Sequence, residues 1–287
     1  KNMGFNGIFV GGGTFIEMKN LKVHDLDPTV LPAVEPPASR HEIYLSGGGG
    51  TSVTTDNLIE NSEIYNISGE AIQLWSGSPD RTTIRGNNIH DNGNGIGIFH
   101  GRDNAVYNNI SWRNRGEGVR NVFRKTIQNA RIFNNTVFGN GNNGIAIENG
   151  GTYAANNIAW QNGGSNIWVA SDAQSVRLEN NIAGSITQGA ATLTNNKVGS
   201  SFDPRLSSPT TGDFRPLSGS PAINTGITLS QVTNDYAGIS RPQGALYDIG
   251  AYEFASGSSA PQPSPAPSPS TPSPPPPPTT PPPAAPP

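Results

Sequence analysis

The feature that most constrains the fold of this chain is a repeat marked by pairs of asparagines. The pairs occur at Asn87-Asn88, Asn108-Asn109, Asn134-Asn135, Asn156-Asn157 and Asn180-Asn181. Ser62-Glu63 takes the same place in an earlier unit. The residues directly after these six pairs, from Ile64 to Ile182, are spaced by 25, 21, 26, 22 and 24 positions. A period of about 24 residues is typical of solenoids, in which one small structural unit stacks on the next.

Apolar residues within each unit predict three short strands. One strand carries alternating apolar pairs: Ile8 and Val10, Ile43 and Leu45, Ile72 and Leu74, Ile96 and Ile98, Ile145 and Ile147, Ile167 and Val169. A second strand, before each asparagine pair, carries Ile59, Ile84, Val106, Ile132, Ala154 and Leu178. A third strand, after the pair, carries Ile64, Ile89, Ile110, Thr136, Ile158 and Ile182. Since three short strands cannot bury their own apolar face, the units must stack with parallel strands about 4.8 Å apart, as in a parallel β-helix.

The asparagine pairs themselves are predicted to be structural. Asparagine tolerates the left-handed backbone of a sharp turn, and its amide can bond the asparagine of the next coil. We therefore expect the side chains of Asn87, Asn108, Asn134, Asn156 and Asn180 to stack, and we assign them no chemistry.

Composition excludes several classes of function. The formal charge is −3 and the chain has no cysteine, so a phosphate-neutralising surface for nucleic acid, a thiolate metal site and a cysteine nucleophile are all excluded. The sequence contains no run of about eighteen apolar residues, so it predicts no membrane-spanning helix. The first residues carry no signal-peptide pattern, and we expect the sequence to be a fragment that lacks its N-terminal coils.

The chain divides into three parts. Residues 1–200 hold the coils, with a proline-rich excursion at Leu26–Arg40 that we expect to be a loop beside the binding face. The asparagine rhythm ends in residues 201–254, which we interpret as a C-terminal capping segment that covers the open end of the solenoid. Residues 255–287 are rich in Pro, Ser and Thr and predict an extended linker, beyond which a further domain or a surface anchor is expected.

The C-terminal part also carries a family resemblance. The segments DFRPLSGSPAINTG from Asp213 and DYAGISRPQGALYDIGAYEF from Asp235 resemble the C-terminal signature of bacterial secreted right-handed parallel β-helix proteins of the pectin-lyase-like superfamily. The repeats upstream resemble the coils of the same group. The predicted fold class is therefore all-β, a single-stranded right-handed parallel β-helix with three short strands per coil.

The resemblance implies secretion, or a place at the cell surface, and a polysaccharide partner. Many members of this superfamily are lyases, glycoside hydrolases or epimerases that act on glycans. The leading hypothesis is lyase chemistry on an acidic glycan, and the alternative is a non-catalytic glycan-binding or structural protein of the cell surface. Fold alone does not decide between them.

Alternation places several large side chains on the outer face of the strand with the apolar pairs. The predicted substrate-binding residues there are Tyr44, Trp75, Phe99, Glu148 and Trp168. Sugar rings pack their C–H faces on aromatic planes, while polar groups at the rim bond the hydroxyls. The alternative is ordinary cross-strand packing of aromatics, which contributes up to about 1 kcal/mol per pair.

The predicted catalytic residues are His100, Arg102, Lys125 and Arg120. A lyase acting on uronates needs a base for the proton beside the carboxylate and a cation for the developing enolate. Hydrolysis would need paired carboxylates, for which Asp80 and Asp103 are the candidates. No cofactor is expected, with calcium at Asp80, Asp103 and Asp172 as the alternative, although the sequence contains no calcium-loop signature.

Overall fold

The computed structural model describes residues 6–25, 41–47, 53–123 and 128–255. Within these residues, three parallel sheets of eight strands each run along one column of coils, which confirms the predicted parallel β-helix. The first sheet contains β1 (Asn6–Gly11), β5 (His41–Ser46), β9 (Glu70–Trp75), β12 (Asn94–Ile98), β15 (Val119–Asn121), β18 (Ile145–Ile147), β21 (Ile167–Val169) and β24 (Ile186–Thr187).

The other two sheets complete each coil. The second contains β3 (Glu17–Lys19), β7 (Leu58–Glu60), β10 (Thr83–Arg85), β13 (Ala105–Tyr107), β16 (Arg131–Phe133), β19 (Tyr153–Ala155), β22 (Arg177–Glu179) and β25 (Thr192–Thr194). The third contains β4 (Lys22–His24), β8 (Glu63–Tyr65), β11 (Asn88–His90), β14 (Ile110–Trp112), β17 (Thr136–Phe138), β20 (Ile158–Trp160), β23 (Ile182–Ala183) and β26 (Lys197–Val198). A small ladder pairs β2 (Gly13–Thr14) with β6 (Thr54–Thr55), and 3-10 turns lie at Ser200–Phe202 and Pro209–Thr211.

Equivalent residues of successive coils lie one above another in the core. Ile84 pairs with Ile59 on one side and with Val106 on the other, and all three are fully buried. The apolar pairs of the first sheet align in the same way, Ile72 with Ile43 and Ile96. These two predicted columns are confirmed, because burying one side of each strand fixes its register.

The predicted column of the third sheet was wrong by one residue in its upper coils. Ile64 and Ile89 face the core, but Asn88, not Ile89, pairs with Ile110. Ile110 therefore faces outward. Ile158 and Ile182, which follow the last two asparagine pairs, also face outward. A shift of one residue exchanges the two faces of a strand.

The asparagine ladder forms with a different membership for the same reason. Each side-chain amide donates to Oδ1 of the next member over 2.8–3.1 Å, along Asn87, Asn109, Asn135, Asn157, Asn181 and Asn196. The predicted stack of Asn108, Asn134, Asn156 and Asn180 on Asn87 was therefore wrong. These four first asparagines adopt positive φ at the corner between the second and third sheets and face outward from the ladder.

A second ladder, which we did not predict, runs along the corner between the third and first sheets. Its members are Asn92, Asn114, Asn140, Asn162 and Asn166, joined over 2.9–3.0 Å. The two ladders satisfy the buried polar groups of two of the three corners, where the chain must turn sharply.

The C-terminal segment packs along the side of the coils, and in the described residues it does not cover the end as we expected. After the hairpin of β27 (Leu206–Ser208) and β28 (Asp213–Pro216), Phe214 packs against Trp112 and Phe138 of the third sheet. At the last coil Leu193 and Val198 remain 37% and 39% exposed. The outward isoleucines and aromatics of the third sheet explain this position, because they offer an apolar lateral surface.

Some predicted features lie outside the described residues. These are the Leu26–Arg40 excursion, Lys125 and all but the first residue of the 255–287 linker. In the part of the chain that the structure describes, no helix is long and apolar enough to span a membrane.

Candidate functional site

The candidate site is a groove on the outer face of the first sheet, across β9, β12 and β15. Its volume is about 600 Å³. The residues that line it are Ser68, Gly69, Glu70, Gln73, Trp75, Gly93, Asn94, Phe99, Arg115, Gly116, Arg120 and Phe123.

Arg120 stands on this outer face because its two neighbours in β15 point inward. Val119 pairs with Ile96, and Asn121 pairs with Ile98 and Ile147, all in the core. Asn121 is fully buried, yet its amide donates to Thr152 Oγ1 (2.9 Å) and its Oδ1 accepts from Asn149 (2.9 Å). The polar core residue is thus satisfied, and no register slip turns Arg120 away.

Glu70 is the acid of the groove, and sequence reasoning missed it. Strict alternation from Ile72 would turn Glu70 into the core. Instead, Ala71 and Ile72 both pack in the core, so alternation breaks at the start of β9 and Glu70 lies on the outer face. Its carboxylate contacts the Arg120 guanidinium and accepts from the Asn94 amide (3.3 Å).

Gly97 makes this contact sterically feasible. It occupies the outer position of β12, between Gln73 and Arg120. A Cβ at this position would lie 2.5 Å from the Phe99 ring and 3.2 Å from Cγ of Glu70. The glycine therefore leaves the floor of the groove open for both side chains.

Burial shifts the pKa of the acid and of the neighbouring histidine. Burial raises the pKa of Glu70 above its ordinary value, while Arg120 acts in the opposite direction. His41 Nδ1 lies 3.6 Å from Glu70, and burial, with a smaller contribution from Arg120, lowers the pKa of His41 to about 4. His41 is therefore neutral at neutral pH. Arg120 also lies 3.5 Å from Glu117.

Aromatic rings form one wall of the groove. The Trp75 ring contacts Phe99 (5.1 Å between centroids), Phe123 (4.7 Å) and His100 (5.0 Å). Phe99 is buried and lies under the Arg120 guanidinium at 4.6 Å, whereas Phe123 is 53% exposed. The wall accessible to a ligand is thus built from Trp75 and Phe123, with Phe99 as its base.

Of the predicted binding residues, Trp75 and Phe99 lie in the groove and the others lie around it. Tyr44 stacks between Phe9 and His41 one strand away. Glu148 accepts from the Phe123 amide (2.9 Å), so it holds the turn that carries that ring. Trp168 is on the same outer face, but Ala146 separates it from Arg120, and it does not line the groove.

The predicted catalytic residues are only partly brought together. The His100 ring contacts the Trp75 ring at the rim of the groove, and Arg120 lies inside the groove. Arg102 is exposed, and its backbone amide donates to Asp80 Oδ1 (2.8 Å). Lys125 is outside the described residues. Arg115, which also lines the groove, was not among the predicted site residues, and its guanidinium donates to the carbonyls of Ile67 and Ser68 (3.1 Å each).

The carboxylates proposed for hydrolysis or calcium have other contacts. Asp80 accepts from the Arg102 backbone, and Asp103 accepts from the Asn129 amide (3.4 Å). Among the described residues, no three His, Cys, Asp or Glu side chains converge as ligands for a metal ion.

A family model of known proteins agrees with this architecture. The solved structure of pectate lyase Pel9A is similar to this chain, with a TM-score of 0.41 and 13% sequence identity. The match covers 86% of this chain and 89% of the pectate lyase chain. No curated protein matches the chain. The family model described as "Right handed beta helix region" matches residues 6–183. This match covers more than half of the sequence, and the chain therefore belongs to the right-handed β-helix family.

Proposed function

We propose that this protein binds a polysaccharide along the outer face of the first sheet, with the Trp75 groove as its main sugar site. The observation that supports the proposal best is that an aromatic wall, Trp75 and Phe123, and polar groups, Glu70, Gln73 and Arg120, line the same groove. A pyranose ring needs this combination, because its C–H face packs on an aromatic plane while its hydroxyls need hydrogen-bonding partners. A polysaccharide partner would place the protein outside the cell or at its surface.

A guanidinium without an ion pair in the groove, that of Arg115, favours an acidic glycan. Arg120 is shared between Glu70 and Glu117, whereas Arg115 bonds only backbone carbonyls, and no salt bridge within the described residues includes it. Arg115 is therefore a guanidinium of the groove that no carboxylate of the described residues engages directly. A uronate carboxylate fits such a guanidinium with two parallel hydrogen bonds.

We extend the proposal to lyase chemistry on that glycan. In a β-elimination, a base removes the proton beside the sugar carboxylate, the glycosidic oxygen leaves, and a double bond forms in the ring. Glu70 is the candidate base, because burial raises its pKa and so makes its carboxylate more basic. Arg120 and Arg115 are the candidate cations for the enolate, and His100 at the rim is the sequence-based alternative for the base.

The rival function is glycan binding without catalysis. It is favoured by the contacts of Glu70, which is already engaged by Arg120 and Asn94. The two functions are separated by incubating the protein with polygalacturonate and alginate while following the ultraviolet absorbance of unsaturated sugar ends and, in parallel, affinity by calorimetry. Absorbance that rises with the native protein and not with Glu70→Gln supports the lyase. Affinity without absorbance supports the non-catalytic protein, and absence of both would overturn the proposal.

A further inference from the structure

A second cavity lies on the opposite side of the coils from the groove. It lies between the corner joining the second and third sheets and the C-terminal residues 231–239, and its volume is about 730 Å³. It shares no lining residue with the Trp75 groove. A ligand at this cavity would therefore bind independently of the proposed function.

Gly86 lines the cavity and interrupts a column of asparagines. Along this corner Asn108, Asn134, Asn156 and Asn180 have positive φ, and each side-chain amide donates to a carbonyl of the C-terminal segment. The acceptors are Asn234 (2.6 Å), Asp248 (2.9 Å), Ile227 (2.8 Å) and Thr225 (2.8 Å), respectively. Gly86 occupies the same place in its coil with φ 65, and it has no side chain to reach the segment.

Several polar side chains line this cavity. Glu60 and Arg85 form an ion pair on one wall (2.8 Å), and Arg85 also donates to the Tyr107 hydroxyl (3.0 Å). The Nε of Arg85 is buried and has no hydrogen-bond partner. Glu63 lies on the neighbouring strand, paired with Lys22 (2.8 Å). Each of these two carboxylates has further lone pairs available to accept from hydroxyl groups.

The charge of the lining decides which ligand fits. The lining contains three carboxylates, Glu60, Glu63 and Asp235, and one guanidinium, Arg85. Arg85 is already paired with Glu60, and Lys22 with Glu63. The lining therefore offers a uronate or a phosphate no unpaired cation, whereas hydroxyl groups can donate to the carboxylates and accept from Arg85. The partly buried Tyr236 ring also lines the cavity and offers an apolar surface on which a sugar C–H face can pack.

We propose that the cavity beneath residues 231–239 is a binding site for a neutral saccharide, such as a terminal or branching sugar, that the gap at Gly86 makes accessible. The site differs in charge preference from the groove on the first sheet. A glycan bearing both acidic and neutral sugars could then contact the two sides of the coil.

The test fills the gap with the residue that the rest of the column carries. In Gly86→Asn the new side chain can adopt the positive φ, which asparagine tolerates better than most residues. Its Cβ would lie 2.6 Å from Oδ1 of Asn61, the mobile end of an exposed side chain that can move aside. The matched control is Gly139→Asn, because Gly139 also has positive φ and an added Cβ there meets nothing within 4 Å.

Binding is measured by calorimetry with neutral cello-, manno- and galacto-oligosaccharides, with oligogalacturonate and with spermidine as a cationic probe. We expect at least one neutral series to bind, Gly86→Asn to weaken it by about tenfold or more with a raised melting temperature, and Gly139→Asn to leave it unchanged. Trp75→Ala should not affect the binding of neutral sugars. The variant therefore distinguishes a failure of this proposal from a failure of the proposed function, which depends on Trp75. Neutral sugars that do not bind, binding insensitive to Gly86→Asn, or binding of spermidine alone would overturn the proposal.

Discussion

The carboxylate of Glu70, at the start of β9, contacts the guanidinium of Arg120 in β15, two strands further along the first sheet. The contact passes over Gly97 of the intervening strand, the position where a Cβ would collide with both Glu70 and Phe99. The contact brings the Glu70 carboxylate, the Arg120 guanidinium and the Phe99 ring together in one cluster.

Removing Arg120 should raise the pKa of Glu70 further, because Arg120 is the main group that opposes the effect of burial on Glu70. A group whose folded pKa lies above its unfolded value stabilises the fold at low pH, and that stability is lost as pH rises through the folded pKa. We therefore expect Arg120→Gln to lower the melting temperature more at pH 8 than at pH 4. Glu70→Gln combined with Arg120→Gln should lose that pH dependence. A pH-independent loss in the single variant would show that Arg120 acts through packing alone.

Glu42 should make the native protein less stable at alkaline pH. Burial raises its pKa to about 7, and the nearby Asp25 acts in the same direction. Ionisation between pH 4.5 and 7 therefore costs stability, about 3 kcal/mol once complete. We expect Glu42→Gln to be more stable than the native protein at pH 8 and nearly equal to it at pH 4.5, measured by thermal unfolding. Glu17→Gln, at a carboxylate whose side chain is 60% exposed, is the control and should show no such crossover.

The asparagine ladder should contribute far more to stability than an exposed asparagine. Asn135 is fully buried, donates to Val106 O and to Asn157, and accepts from Asn109. Asn135→Ala leaves several of these groups unsatisfied, at about 1–3 kcal/mol each. We expect a loss of about 3 kcal/mol or more in the free energy of unfolding from urea titration. Asn142→Ala, at an exposed position, should change it by less than about 0.5 kcal/mol, and equal effects would contradict the structural role of the ladder.

Arg241 should hold the C-terminal segment against the coils. Its buried guanidinium pairs with Glu253 and donates to the carbonyls of Asp248 (3.1 Å) and Gly250 (2.8 Å). Arg241→Ala leaves Glu253 buried without its cation, a change that costs about 3–5 kcal/mol. We expect limited proteolysis to cut within residues 213–254 before it cuts the coils. Arg215→Ala, which removes a more exposed ion pair with Asp213 (2.6 Å), should leave that order and rate nearly unchanged. If Arg241→Ala is cut no faster than the native protein, the network does not hold the segment.

The repeat predicted the fold because period and alternation record burial directly. Ile96 and Ile98 face the core, and so do the residues that pair with them in the neighbouring coils. The inward residues of the first sheet could therefore be predicted one by one. The register of the third sheet could not be obtained in this way. At Asn87-Asn88 the turn holds Gly86 where later coils have an asparagine, and counting the pairs as equivalent shifts the alignment by one.

The site was predictable only where alternation holds. Trp75 and Arg120 follow the pattern and could be assigned to the outer face. Glu70 could not, because the two core residues that follow it, Ala71 and Ile72, break the alternation. The position of the C-terminal segment depends on contacts such as that between Phe214 and Trp112, which are about a hundred residues apart and leave no local pattern.

The central claim, that the Trp75 groove binds polysaccharide, is tested most directly by comparing two tryptophans on the same face. Affinity for polygalacturonate is measured by calorimetry for the native protein, Trp75→Ala and Trp168→Ala, with thermal unfolding of each to verify the fold. We expect Trp75→Ala to weaken binding by about tenfold or more, and Trp168→Ala, outside the groove, to change it by less than about twofold. Unchanged affinity in a folded Trp75→Ala would contradict the claim and leave the aromatic wall with a purely structural role.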